Sequence, residues 1–145
     1  MKAAVKQWVG FVGGLAFALV ANTAALADVV PVVSVKSTIA HLSKKELTDI
    51  FLGRTAQLSG GEPVVPIDQD EGVAARDEFY TTFIGKTAAQ LRAHWSKIIF
   101  TGRGKPPLAV PSGAEARKVV AANPHAIAYI DRSQLDASVK AVRVD

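Results

Sequence analysis

The sequence contains no cysteine, and this absence limits the chemistry that the protein can perform. Neither a disulfide, a thiolate nucleophile nor a cysteine-based metal site can form. The fold therefore has to be stable through packing alone.

The sequence also has no strong excess of charge of one sign. The chain carries 17 basic and 13 acidic side chains, and Lys2 and Lys6 belong to the first segment, so 17 − 2 = 15 basic residues are scattered among the acids of the remainder. Aromatic residues make up only 7% of the chain. Nucleic-acid binding needs a concentrated basic face, preferably with stacking aromatics. We therefore expect no nucleic-acid partner.

A convergent set of catalytic side chains is missing as well. The histidines lie in distant segments without the spacing of a zinc site, which favours surface or capping roles for His41, His94 and His125. Ser112 precedes a glycine but is better explained as a helix N-cap than as a nucleophile. Residues 101–105 have a glycine-rich pattern, yet prolines follow it and an ordinary loop is favoured over a nucleotide site. We expect no enzymatic activity, no metal and no cofactor.

The first residues have the pattern of a secretory signal peptide. Lys2 and Lys6 form a positive n-region, an apolar run extends from Trp8 to Val20, and Ala25-Leu26-Ala27 has the small-x-small pattern of a cleavage site. A retained anchor is less favoured, because the run contains glycines and is shorter than the ~20 residues of a membrane span. We predict cleavage after Ala27 (signal peptide 1-27), a periplasmic or secreted location, and a mature chain of 145 − 27 = 118 residues without a membrane span.

Residues 28-145 alternate between strand and helix patterns. Runs of apolar and β-branched residues predict strands at 29–35, 63–67, 108–111, 126–130 and 139–144. Capping-box patterns beginning at Ser43, Thr87 and Ser112 predict helices, and a further helix is predicted to run through Phe79 and end at Gly85. Trp95 lies on the apolar face of its helix, which favours a core position over a ligand-stacking platform. We predict a single α/β domain, a three-layer sandwich with a central, mostly parallel or mixed sheet.

The strand predicted at 63–67 leads directly into a helix, and this junction is the strongest candidate for a binding site. The end of a strand and the start of a helix expose backbone N–H groups and the positive end of the helix dipole, which together favour an anion. Asp68, Asp70 and Glu71 follow the strand but lack the spacing of a calcium loop. Acids that complement the helix dipole are the preferred interpretation of these residues.

Four segments in a fixed order resemble the periplasmic phosphate-binding proteins that serve ABC transporters. Residues 42–54 resemble that family's "Leu-Thr…Ile-Phe-x-Gly-Lys" segment, and the junction ending in Phe79 follows it. Trp95 with 100–102 comes next, and residues 123–130 resemble the family's "Asn-Pro-Gly-Ala-Ile-Gly-Tyr-Val" segment. The resemblance implies a type 2 periplasmic-binding-protein (PBP) fold, which normally consists of two α/β lobes around a ligand. This chain resembles one lobe only.

The resemblance also implies a set of ligand-binding residues. In the phosphate-binding proteins this helix begins with "Arg-x-x-Gly-Ser-Gly-Thr", whose side chains and backbone amides hold the oxyanion. Aligned on Phe79, this chain keeps the glycine as Gly72 but has lost the arginine and the hydroxyls. Losing two or three hydrogen bonds of ~1.5 to 3 kcal/mol each would weaken binding by roughly three decades, and Arg76 could compensate in part as a bidentate donor. The predicted contact residues are Gln69, Asp70, Gly72, Val73, Ala74, Ala75 and Arg76.

The predicted function is non-covalent binding of phosphate or another small anion, in connection with ABC-type transport. The alternative is a PBP-like lobe without a ligand that acts as a protein-interaction or regulatory module in the cell envelope and docks a membrane transporter or another envelope protein. A hydrolase or lyase that uses the acids between Asp68 and Asp77 is a third and weaker hypothesis.

Overall fold

The computed structural model describes residues 28 to 145, so the predicted signal peptide lies outside the described residues. The elements of this part of the chain, in order, are β1 (Val29–Ser34), β2 (His41–Leu42), α1 (Lys44–Phe51), β3 (Val65–Gln69), α2 (Ala74–Phe79), α3 (Ala88–Phe100), β4 (Leu108–Val110), α4 (Gly113–Ala122), β5 (Ala126–Asp131), β6 (Val139–Ala141) and β7 (Arg143–Val144). Helix α2 continues into a π-helical segment, Tyr80–Ile84, and a short 3-10 turn, Arg132–Gln134, follows β5. Within 28 to 145, no helix has both the length and the apolar character that crossing a membrane requires.

Five of the strands form one mixed sheet in the order β4, β3, β5, β1, β6. Strand β3 runs parallel to β4 and β5, whereas β1 is antiparallel to β5 and β6. Strands β2 and β7 form a separate parallel pair beside the start of α1. The carboxyl ends of β3, β4 and β5 therefore lie along one edge of the main sheet, and their amino ends lie along the other.

Two apolar clusters cover the two faces of the main sheet. Successive residues of a strand point to opposite faces, so Ile127 and Tyr129 belong to one cluster while Ala126 and Ala128 belong to the other. The first cluster includes side chains from α1, α2 and α3, namely Phe51, Phe79, Leu91 and Trp95. The second includes side chains from α4, namely Ala116 and Val120. The three-layer α/β architecture and the core position of Trp95 are thus confirmed.

The helix starts agree with the predictions, whereas some strand boundaries differ. Complete capping boxes begin at Ser43 and Thr87, and Ser112 caps α4 by accepting a hydrogen bond from the N–H of Glu115. Strand β3 covers Val65–Gln69 rather than 63–67, and Pro63 lies in an isolated bridge with Gln57. The strand predicted at 139–144 is divided into β6 and β7, because its two halves pair with β1 and β2 in different sheets.

Candidate functional site

The seven predicted contact residues lie together at the end of β3 and the start of α2. The chain turns between them at Gly72, whose φ of +93° is a conformation that glycine adopts without strain. The N–H of Asp70 donates to the carbonyl of Val110 at 2.9 Å, which ties the turn to the end of β4. Asp70, Gly72 and Ala74 are exposed, whereas Gln69 is buried. The junction is therefore a surface turn that lies over a buried strand end.

The start of α2 differs from the starts of the other three α-helices described between residues 28 and 145. Ser43, Thr87 and Ser112 each accept a hydrogen bond from a backbone N–H of their helix. Val73 holds the same position in α2 and makes no such bond. Its carbonyl accepts from the N–H of Arg76 at 3.0 Å, and the two N–H groups between them, on Ala74 and Ala75, have no partner among the described residues. Free N–H groups at a helix start favour an anion.

Asp68 lies behind this turn and is only 4% exposed, so its interpretation as a helix-start acid is wrong. Because β3 extends two residues further than predicted, Asp68 belongs to the strand, and its carboxylate is buried with it. The Tyr80 hydroxyl donates to its Oδ2 at 2.8 Å, and the Tyr129 hydroxyl donates to its Oδ1. The Nε of Arg76 lies 3.5 Å from Oδ2. We call Asp68, Gln69, Arg76, Tyr80 and Tyr129 the Asp68 cluster.

Gln69 forms hydrogen bonds to β5 beyond the point where the backbones of β3 and β5 stop pairing. Pairing between these strands ends at Pro66 and Ile127. Beyond that point the Gln69 side chain donates from Nε2 to the Tyr129 carbonyl at 2.8 Å, and the Gln69 N–H donates to the Tyr129 hydroxyl at 3.1 Å. These bonds take the place of backbone pairing. At 1% exposed, Gln69 serves the packing of the sheet.

The Asp68 cluster combines a buried ion pair with aromatic packing. Tyr129 stacks on Phe79 with ring centroids 4.1 Å apart, and the Arg76 guanidinium lies 5.3 Å from the centre of the Tyr80 ring. Burial, and next the charge of Asp68, raise the pKa of Tyr80 and Tyr129 well above the ordinary tyrosine value. Two buried polar atoms of this cluster, Arg76 Nε and Gln69 Oε1, have no hydrogen-bond partner in the described part of the chain. Arg76 and Asp68 are thus close enough for an ion pair, although Arg76 Nε makes no hydrogen bond.

The other charged groups near the turn are arranged differently. Glu71 pairs with Arg92 of α3, so its charge is partly balanced at the surface. No group of three or more histidine, aspartate or glutamate side chains within residues 28 to 145 is placed to hold a metal ion. The Nε2 of His94 contacts the Leu52 carbonyl at 2.9 Å, just beyond the end of α1. The junction therefore offers backbone N–H groups and two guanidinium groups, Arg76 and Arg92, each of which already lies beside a carboxylate.

A mixed five-stranded sheet between helices is the architecture of one lobe of the phosphate-binding proteins of ABC transporters. Three solved structures with this lobe cover 81% of this chain. A protein from Clostridium perfringens, solved with bound phosphate and assigned to the phosphate ABC transporter substrate-binding proteins, matches with a TM-score of 0.62 and 22% identity. An ABC-type phosphate transport receptor from Vibrio cholerae matches with a TM-score of 0.63 and 17% identity. PstS from Borrelia burgdorferi matches with a TM-score of 0.61 and 14% identity.

The match covers only part of these structures. The aligned region is 45% of the Clostridium chain, 46% of the Vibrio chain and 47% of the Borrelia chain, so this chain spans less than half their length. No protein-family model matches the sequence, and the comparison with curated proteins gave no match. The similarity therefore defines the fold of one lobe, and the proteins that share it are binding proteins.

Proposed function

We propose that this protein is an exported, single-lobe binding protein that holds phosphate or another small anion non-covalently, in connection with ABC-type transport. The ligand would lie on the β3–α2 turn, against the free N–H groups of Ala74 and Ala75. The observation that carries this proposal is the missing side-chain cap at Val73, where the other three described α-helices are capped. The fold it shares with a phosphate-bound protein supports the choice of ligand class.

The turn favours a weakly held anion over a tightly held one. Backbone N–H groups and the positive end of the helix dipole attract negative charge. The hydroxyls that would add charge-assisted hydrogen bonds are replaced by Val73, Ala74 and Ala75, and Asp68 already occupies one side of Arg76. An exposed turn also leaves the ligand open to water, which screens the attraction. We therefore expect dissociation constants in the millimolar range.

Ala74→Pro is the sharpest test of this site. Ala74 is the first residue of α2, a position where proline is well tolerated, and Val73 already has the extended ψ of 125° that a following proline requires. The substitution removes one of the proposed donors while leaving the Asp68 cluster intact. We expect a thermal shift with millimolar phosphate, sulfate or molybdate in the wild type, and anion binding about tenfold weaker in Ala74→Pro.

Ala88→Pro is the matched control, because Ala88 is the first residue of α3. It should leave anion binding unchanged. Arg76→Ala would be a poorer test, since it removes the partner of a buried carboxylate and so destabilises the fold whether or not an anion binds. Anion binding that survives Ala74→Pro would place the site elsewhere.

The second candidate is a lobe without a small ligand that docks a protein of the cell envelope, such as a membrane transporter. The pairing of Arg76 with Asp68 favours it, because the guanidinium nearest the turn is already engaged. This candidate predicts that none of the anions raises the melting temperature. The thermal-shift experiment therefore separates the two functions.

A further inference from the structure

A cavity of about 500 Å³ lies at the opposite end of β3 from the proposed anion site. Its lining comes from the end of α1, the loop after it, the loop before β4, and residues at the start of β3 and β4. Most of the lining is apolar, and the side chains that matter for the argument are Val65, Pro106, Pro107 and Leu108. Leu108 is 63% exposed and Val65 is 42% exposed, so two large apolar residues of the same cavity lining are open to solvent.

The charged residues of this cavity have one sign. Arg54 and Lys105 line it, and no acidic side chain does. Arg54 is partly balanced by Asp49, with 3.3 Å between Nη1 and Oδ1. Lys105 is exposed and makes no ion pair within residues 28 to 145. An apolar cavity of this size with cations at its wall has the composition of a site for an amphipathic anion.

We propose that this cavity binds a small organic carboxylate with an apolar body. The body would contact the prolines and Leu108, and the carboxylate would lie near Lys105 and Arg54. Inorganic phosphate lacks the apolar body, so this ligand class differs from that of the β3–α2 turn. The two sites are separated by the length of β3, ~13 Å for a strand of this size. The proposal does not depend on the anion site.

Trp95 provides a direct reporter of ligand in this cavity. Gly53 belongs to the cavity lining, and a Cβ placed on Gly53 would lie 2.8 Å from the Trp95 ring. The indole therefore packs immediately behind the cavity wall. The chain contains 2 tryptophans, so Trp8→Phe makes Trp95 the sole one whether or not the first residues are retained.

The experiment is a fluorescence titration of the Trp8→Phe protein with 4-phenylbutyrate, repeated with 4-phenylbutanamide and with acetate. The amide keeps the apolar body without the charge, and acetate keeps the charge without the body. We expect a saturable change with 4-phenylbutyrate and a weaker response to each of the others. A response to the amide equal to that of the acid, or no response at all, would overturn the proposal.

Two variants inside the cavity and two control variants outside it locate the binding. Ala56→Phe places a large side chain in the cavity and should weaken 4-phenylbutyrate binding at least tenfold. Lys105→Gln removes the charge and should weaken it about threefold, as expected for one exposed ionic contact. Lys36→Gln removes another exposed lysine without an ion pair among the described residues and should have no effect. Binding that is unchanged in both Ala56→Phe and Lys105→Gln would mean that the ligand lies elsewhere and would refute the site. Ala74→Pro should leave this binding unchanged.

Discussion

The two ends of strand β3 are built in opposite ways. At the carboxyl end, Asp68 and Gln69 are buried, and their polar groups bond mainly to side chains of the protein itself. At the amino end, Val65 and the neighbouring Leu108 are apolar and exposed beside a cavity. The carboxyl end of β3 thus buries polar side chains in the protein, whereas the amino end exposes apolar side chains to solvent.

Because of this contrast, the two ends of β3 are expected to affect different properties of the protein, one its stability and the other ligand binding. A buried carboxylate with a guanidinium partner is costly to disturb, because removing either partner leaves an uncompensated charge. Exposed apolar side chains contribute little to folding and remain free to contact a ligand. We therefore expect substitutions at the carboxyl end to act mainly on stability and substitutions at the amino end mainly on binding.

The largest effect expected from this contrast is that of Asp68→Ala. The substitution leaves Arg76 without its buried counter-charge and removes the acceptor of two tyrosine hydroxyls. We expect the free energy of unfolding, measured by urea denaturation followed by circular dichroism, to fall by about 3 to 5 kcal/mol. Asp68→Asn keeps one acceptor oxygen and should lie between Asp68→Ala and the wild type.

Asp70→Ala is the matched control, because Asp70 lies two residues further along the chain and is exposed. Its effect should stay within about 0.5 kcal/mol. A loss below about 1 kcal/mol for Asp68→Ala would contradict the description of its carboxylate as a buried, paired group.

A second, smaller effect is expected on the free energy of unfolding at alkaline pH. The chain contains 2 tyrosines, and both belong to the Asp68 cluster, so tyrosinate absorbance reports this end of β3 alone. Burial, followed by the charge of Asp68, raises the pKa of Tyr80 and Tyr129 in the folded state. Their stabilising contribution is therefore complete below about pH 10, the unfolded value, and is lost progressively as the pH rises above it.

Absorbance titrations of the native and urea-unfolded protein test this expectation. The unfolded chain should ionise both phenols near pH ~10, whereas the native chain should ionise neither until it unfolds at higher pH. The free energy of unfolding should decrease over the same range. Ionisation of either phenol near pH ~10 in a chain that is still folded would show that this hydroxyl is open to water.

Features set by local sequence were predictable, and those set by distant partners were not. The capping boxes at Ser43 and Thr87 were found because a cap depends on residues three positions apart. The bounds of β3 were missed because its last two residues, Asp68 and Gln69, are polar and do not continue the apolar pattern of 63–67. Pairing with β4 includes these two residues in the strand, and that pairing partner is distant in the sequence.

The burial of Asp68 could not be predicted for the same reason. Its hydroxyl partners are 12 and 61 residues away in the sequence, on α2's continuation and on β5. One signal was present, since a buried tyrosine usually needs a hydrogen-bond partner and Tyr80 and Tyr129 both lie on apolar faces. The cavity carried no signal in the sequence, because its lining combines two strand starts with two separate loops, around Gly53 and around Pro106, whose sequences indicate only ordinary connections.

The smallest expected effect on stability, and the sharpest test of the amino end, is that of Leu108→Thr. Leu108 is 63% exposed at the start of edge strand β4, and threonine has a high strand propensity. The free energy of unfolding should therefore change by no more than about 0.5 kcal/mol, in contrast to Asp68→Ala. Binding of 4-phenylbutyrate should weaken in the same variant, because the cavity loses apolar surface. A loss of stability above about 1 kcal/mol would mean that Leu108 is buried in solution, and the contrast between the two ends of β3 would then fail.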